Sequence, residues 1–181
     1  MADSVGTAES VGTADGAGTA EGKLPERYGA PVGADGTTVL HPSRDRWFEV
    51  AAAARADGFD QLIDLTAVDY LTYRAARRLP DGVQPERFEV VASLLSHARR
   101  ERLRMRVQVP AEDPTAATLF DLWPGAESLE REVYDMFGIA FEGHPDMSRI
   151  LMPEDWVGHP LRKDFDTGQI PVQFKAASNT R

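Results

Sequence analysis

The titratable side chains of most chemical interest in this 181-residue sequence lie between Glu130 and Asp164. Glu130, Arg131, Glu132 and Asp135 stand close together and are the residue types that a general acid–base pair or an ion-pair network needs. On one helix Arg131 and Asp135 would sit at i, i+4, so the spacing predicts an ordinary ion pair between them. His144 and His159 each precede Pro, with Glu142, Asp146, Glu154, Asp155 and Asp164 nearby, a donor set of the kind that holds a divalent metal. Their spacing fits no ligand pattern, and the sequence has no His-Glu-x-x-His, Gly-x-Ser-x-Gly, phosphate loop or Gly-x-Gly-x-x-Gly. Turn-forming packing residues are the simpler account of the two His-Pro pairs. The sequence contains no Cys, which excludes a thiolate nucleophile, a disulfide, Cys-ligated zinc and an iron–sulfur cluster held in the usual way.

The elements that must position these residues are legible upstream. Ser43 sits at an N-cap position, and Trp47, Val50, Ala51 and Ala54 recur at the i, i+3, i+4, i+7 spacing of one helix face, with Gly58 as the stop. Residues 59–70 read as a largely buried strand, and 74–84 as a polar loop. Phe88, Val90, Ala92 and Leu94 alternate on one face of a strand. Leu103, Met105, Val107 and Val109 alternate with Arg102, Arg104, Arg106 and Gln108 on the next, so the pair predicts a hairpin with an Arg-rich face outward. Asp113-Pro114 reads as a helix start for 115–122, and a further helix is expected over 128–137, ended by Gly138. This order of elements predicts an α+β two-layer domain, helices on one face of a mixed sheet, over residues 43–138.

The flanks differ in composition. Residues 1–24 contain three copies of a six-residue acidic, small-residue unit and are expected to be a disordered tail; 25–42 read as a linker with a short extended piece near Thr37 to Leu40. Residues 139–181 mix large apolar groups with Pro and Gly, cannot make a core alone, and are expected to form an extended arm that takes its full structure on a partner. Twenty Lys and Arg against 29 Asp and Glu give a formal charge of -9, which disfavours nucleic acid, and the outward arginines lack interleaved aromatics. The opening Met-Ala-Asp-Ser lacks the features of a secretory signal, and no apolar run approaches the roughly 18 residues that span a bilayer, so a cytoplasmic chain is expected.

Glu130-Arg-Glu-Val-Tyr-Asp-Met-Phe-Gly-Ile-Ala-Phe-Glu-Gly-His-Pro-Asp146, Arg149-Ile-Leu-Met-Pro-Glu-Asp-Trp156 and Gly158-His-Pro-Leu-Arg-Lys-Asp-Phe165 resemble the signature of the 30 kDa subunit family of respiratory complex I, the bacterial NADH–quinone oxidoreductase. Asp64-Leu-Thr-Ala-Val-Asp-Tyr70 and Arg87-Phe-Glu-Val-Val-Ala-Ser-Leu-Leu95 resemble it in order and spacing, and the likeness spans roughly 43–168. Departures are Met147-Ser148, where a further Arg is common, and a 74–84 loop that is longer than usual. The repeats lie outside the family pattern.

The resemblance implies a cofactor-free structural subunit on the cytoplasmic side of the membrane, attached only through the complex. FMN and the iron–sulfur clusters would be held by partner subunits, and the whole would pass electrons from NADH to quinone, coupled to proton translocation. The partners implied are the 49 kDa-type quinone-site subunit and other subunits of the peripheral arm. The interface expected from the signature comprises Glu130, Arg131, Glu132, Asp135, Phe137, His144, Arg149, Trp156, Arg162, Lys163 and Asp164, with Arg131, Arg149, Arg162 and Lys163 pairing with the partner's acids. The same domain type occurs in related membrane-bound hydrogenases and dehydrogenases, where the electron donor differs. A freestanding metal-dependent enzyme is the reading of a different class.

Overall fold

The computed structural model describes residues 36–166; the acidic repeats, most of the linker and the end of the arm lie outside them. The chain runs through β1 (Thr38–Leu40), a 3-10 turn (Arg44–Arg46), α1 (Trp47–Ala56), β2 (Gln61–Asp69), β3 (Phe88–Ser96), β4 (Glu101–Val109), β5 (Thr115–Ala117), α2 (Ala126–Phe137) and β6 (Ala140–Glu142). The main sheet has the order β1-β4-β3-β2, with β1 parallel to β4 and the other pairs antiparallel. This is the mixed sheet and α+β class that the sequence predicts. The short extended piece near Thr37 is its edge strand, so the sheet begins before residue 43, and β6 continues the folded unit past Gly138.

Phe88, Val90, Ala92 and Leu94 face the core with Leu103, Met105, Val107 and Val109, and each is nearly solvent-free. Trp47, Val50, Ala51 and Ala54 of α1, with Val133, Met136 and Phe137 of α2, join the same cluster. Each fully buried Val, Leu, Met or Phe side chain among them contributes about 1.5–3 kcal/mol. Ser43 precedes a 3-10 turn instead of the α-helix itself, and its side chain makes no cap bond.

Two expectations need correction. Residues 115–117 are a strand and not a helix, because Arg44 bonds the Asp113 carboxylate and the Thr115 hydroxyl while Thr115 to Ala117 pair in parallel with Ala140 to Glu142. The helical signal downstream of it is a single turn in which the Leu122 and Trp123 amides donate to the Leu119 carbonyl. Nor is the second face of β4 uniformly outward. Glu89 is wholly buried there, accepting from Arg106 Nε at 2.8 Å, Arg77 Nη2 at 2.7 Å and Gln108 Nε2 at 2.5 Å. The Arg77 guanidinium lies 3.6 Å over the Tyr70 ring. The 70–87 segment therefore roofs one end of that face, and an unpaired carboxylate there would be prohibitive without these donors.

Candidate partner-binding site

The signature residues converge where α2 meets the arm. Asp135 is fully buried, and its Oδ2 accepts the backbone N–H groups of Ile150, Leu151 and Met152 at 3.2, 2.8 and 2.8 Å; Oδ1 accepts from Arg149 at 2.5 Å. Burial works against the charged carboxylate, but the backbone donors and Arg149 outweigh it and hold Asp135 below the usual aspartate range. Arg149 also donates to the Gly158 carbonyl at 3.0 Å. Asp135 thus pairs with Arg149, not with Arg131 as the helical spacing predicts. Arg131 instead donates to the Ser148 carbonyl and hydroxyl at 3.1 and 2.9 Å, with Glu127 at 3.5 Å one turn back.

The C-terminal end of α2 is capped by the arm. Leu161 N–H donates to the Met136 carbonyl, and Arg162 donates through Nε to Phe137 O at 2.5 Å and through Nη2 to Gly138 O at 3.2 Å. These are the orphan carbonyls and the negative dipole end of the helix, so a guanidinium is the fitting group. His159 Nδ1–H donates to the Asp135 carbonyl at 3.0 Å, and burial keeps the imidazole below its ordinary pKa. Gly138 adopts φ +70, and a Cβ there would lie 2.5 Å from His159 Nε2 and 2.6 Å from Arg162 Nη2, which is why no side chain fits.

A second anchor lies on the sheet. Arg87 forks onto Asp69 at 3.1 and 2.9 Å and reaches Asp164 of the arm at 2.6 Å, while the Lys163 amide donates to Asp69 Oδ2. Asp69 sits below the ordinary aspartate value: burial opposes the charge, and Arg87 with the Lys163 and Leu71 amides overcomes it. The Lys163 side chain is exposed, as is Glu132.

Glu130 and His144 make a third cluster. Glu130 is fully buried, accepts from the Thr118 hydroxyl at 2.5 Å and the Leu119 amide at 2.7 Å, and stands 3.9 Å from His144 Nε2. Burial raises its pKa, against the lowering effect of those donors. His144 Nδ1 accepts the Asp146 amide and Nε2 meets the Glu127 carbonyl, so the ring is assigned as the neutral Nε2–H tautomer. His144 and His159 thus serve different backbone carbonyls, and among the described residues no three His, Asp or Glu side chains gather as metal ligands. A cavity of about 410 Å³ beside His41, Arg44 and Gln108 contains none of the sequence-predicted residues.

The arm takes a defined path over its own domain through Asp166. Its buried polar groups turn inward. Ile150, Leu151, Trp156, Val157 and Leu161 turn outward, with Val157 88% exposed and Trp156, stacked on Phe165, 42% exposed. Phe137, expected at the interface, is instead a core residue at 8% exposure. Sequence reasoning missed Asp69, Arg87 and Ser148 as arm anchors; Asp69 and Arg87 stand inside the family-like segments 64–70 and 87–95, but only the register of β2 with β3 brings them together.

Residues 40–170 match the profile of the family described as "Respiratory-chain NADH dehydrogenase, 30 Kd subunit". "NADH-quinone oxidoreductase subunit 5" of Thermus thermophilus is 50% identical over 137 residues, which cover 73% of this chain and 63% of that relative, so the chain spans less than two thirds of its length. A NADH-quinone oxidoreductase subunit of Bordetella petrii is 44% identical over 162 residues, covering 80% of this chain and 78% of the relative. A solved trypsin-resistant fragment of Nqo5 superposes with a TM-score of 0.59 at 43% identity, covering 67% of this chain and 92% of the fragment. A chain of an archaeal membrane-bound sulfane sulfur reductase, 24% identical with a TM-score of 0.60 over 72% of each chain, shares the fold. The chain belongs to the respiratory-chain NADH dehydrogenase 30 kDa subunit family.

Proposed function

From that membership we propose that the chain is the 30 kDa-type subunit of a proton-translocating NADH–quinone oxidoreductase and serves it as a structural part of the peripheral arm. It binds no redox group; FMN and the iron–sulfur clusters are carried by partner subunits, and with no Cys in its sequence the chain has no thiolate to offer a cluster. It attaches to the cytoplasmic side of the membrane through the complex, and no helix among the described residues is long and apolar enough to cross a bilayer.

The observation that carries this reading is the two-sided arm. Asp135, Arg149, Arg162 and Asp69 spend their charges inside the chain, so the exposed row of Leu151, Trp156, Val157 and Leu161 is left as the face that a partner must cover. We assign that partner as the 49 kDa-type quinone-site subunit, met through an apolar and aromatic core instead of the arginine pairs that the signature implied. Affinity purification of the native chain from membranes tests it. Co-purification of the 49 kDa-type subunit with an NADH-oxidising flavoprotein is expected; a monomer with no partner would overturn it, and a hydrogenase partner set would move the chain to a related complex.

A further inference from the structure

Three guanidinium groups crowd one end of the sheet without a counter-ion among the described residues. Arg100, at φ +56 in the turn between β3 and β4, together with Arg102 and Arg104 of β4, has no side-chain hydrogen bond or ion pair there. Their neighbours are satisfied: Arg99 holds Glu101, and Arg106 holds Glu89. The register sets Arg102 opposite Leu95 and Arg104 between Ser93 and Val39. Both helices pack on the other face of the sheet, with the core. In a chain of formal charge -9, a patch of one sign repels itself and favours any carboxylate that reaches it.

The parallel pairing of β1 fixes what reaches it. Thr38 lies opposite Leu103 and Leu40 opposite Met105, so the N-terminal end of β1 is at the Glu101 end of β4, beside Arg100 and Arg102. The chain that precedes β1 therefore leaves the sheet at the arginines. That chain contains Asp3, Glu9, Asp15 and Glu21 at intervals of six, with no Lys or Arg before Lys23. From Glu21 to Thr38 its reach is at most roughly 55 Å, far more than the width of the three-arginine row.

We propose that the acidic N-terminal repeats, residues 1–22, dock onto the face formed by Arg100, Arg102 and Arg104 of their own sheet. A carboxylate that reaches the row meets the planar fork of a guanidinium, a geometry suited to paired N–H···O bonds, and the four acids of the repeats compete for the three arginines. Tethering supplies the affinity that separate pairs lack: a short linker holds the segment at an effective concentration on the order of millimolar. Exposed pairs are individually weak, so the contact is partly occupied and sensitive to salt, with a screening length that falls from about 10 Å at 0.1 M to about 3 Å at 1 M.

The test compares NMR spectra of the full chain with those of the full chain carrying D3N, E9Q, D15N and E21Q. At low salt, about 0.02 M, the amide and Nε–H resonances of Arg100, Arg102 and Arg104 are expected to differ between the two, and the difference to vanish by about 0.5 M. R102Q with R104Q, away from the core, should move the resonances of the repeats to the positions seen in the neutralised chain. Identical spectra at low salt would overturn the proposal. So would a difference that persists at high salt, which is apolar docking, or one that grows with protein concentration, which is a second copy on the same face.

Discussion

Arg149 and Asp135 meet at 2.5 Å where the arm crosses the last turns of α2, with Asp135 wholly buried and the Arg149 side chain 14% exposed. Removing one partner of a buried pair costs about 3–5 kcal/mol, because the other charge is left without compensation. Asp135→Ala should fall in this range by urea denaturation. It should also release the amides of Ile150, Leu151 and Met152 to fast hydrogen exchange, since all three lose their acceptor. A loss of stability with those amides still protected would mean that something other than Asp135 holds the arm.

Arg162→Glu separates an internal cap from a partner contact. In this structure the guanidinium caps α2 at Phe137 and Gly138, so the reversal should destabilise the isolated chain by about 2 kcal/mol or more, from lost charge-assisted bonds and an adverse helix dipole. An isolated variant as stable as wild type, defective only in assembly, would return Arg162 to the interface.

Gly138→Ala tests the close approach. The positive φ alone costs about 1–2 kcal/mol for an L residue, and the added methyl must also displace His159 and Arg162. The expected result is a lower melting temperature together with easier proteolysis between residues 150 and 161; unchanged proteolysis would sever the arm from this glycine.

Glu130 gives the chain a pH signature. Its folded pKa is raised, so its contribution is fully present below the ordinary glutamate value of 4.5 and is lost as pH rises through the folded value. Asp135 and Asp69 have the opposite sign: theirs is present above the ordinary aspartate value of 3.8 and lost as pH falls. Glu130→Gln removes only the first. Relative to wild type, its stability should therefore improve from pH 5 to pH 8 in denaturation curves, and a constant difference would place Glu130 outside the titration.

Val157→Asp should barely affect the isolated chain, within about 0.5 kcal/mol, because the side chain is 88% exposed. Recovery of partner subunits in affinity purification should nonetheless drop sharply. Full recovery would take this part of the arm out of the interface.

The class of fold was readable because alternation and helical spacing are local signals: the apolar core-facing residues of the hairpin and of α1 were visible in the sequence, whereas the buried Ser96 at the end of β3 was not. The strand at Thr115 was not. Asp113-Pro114 starts helices and strands alike, and the deciding partners, Arg44 and Ala140 to Glu142, lie far off in the chain. The signature residues were found as types, but their partners were not. Arg131 and Asp135 have ideal helical spacing, yet Asp135 offers its carboxylate to three amides of the arm, which no spacing rule anticipates. Glu89 is the same case, an apparent outward position enclosed by a loop whose path depends on Tyr70 and Arg77.

The parallel pairing of β1 with β4 also has a cost in time. During synthesis the strand at Thr38 emerges first and has no partner until Leu103 has left the ribosome; at about 5–20 residues per second the wait lasts several seconds. The hairpin of β3 and β4 closes on itself in microseconds. The edge strand is thus the natural last step of assembly, and until it closes the Leu103 to Met105 edge of β4 stays open to strands of other chains.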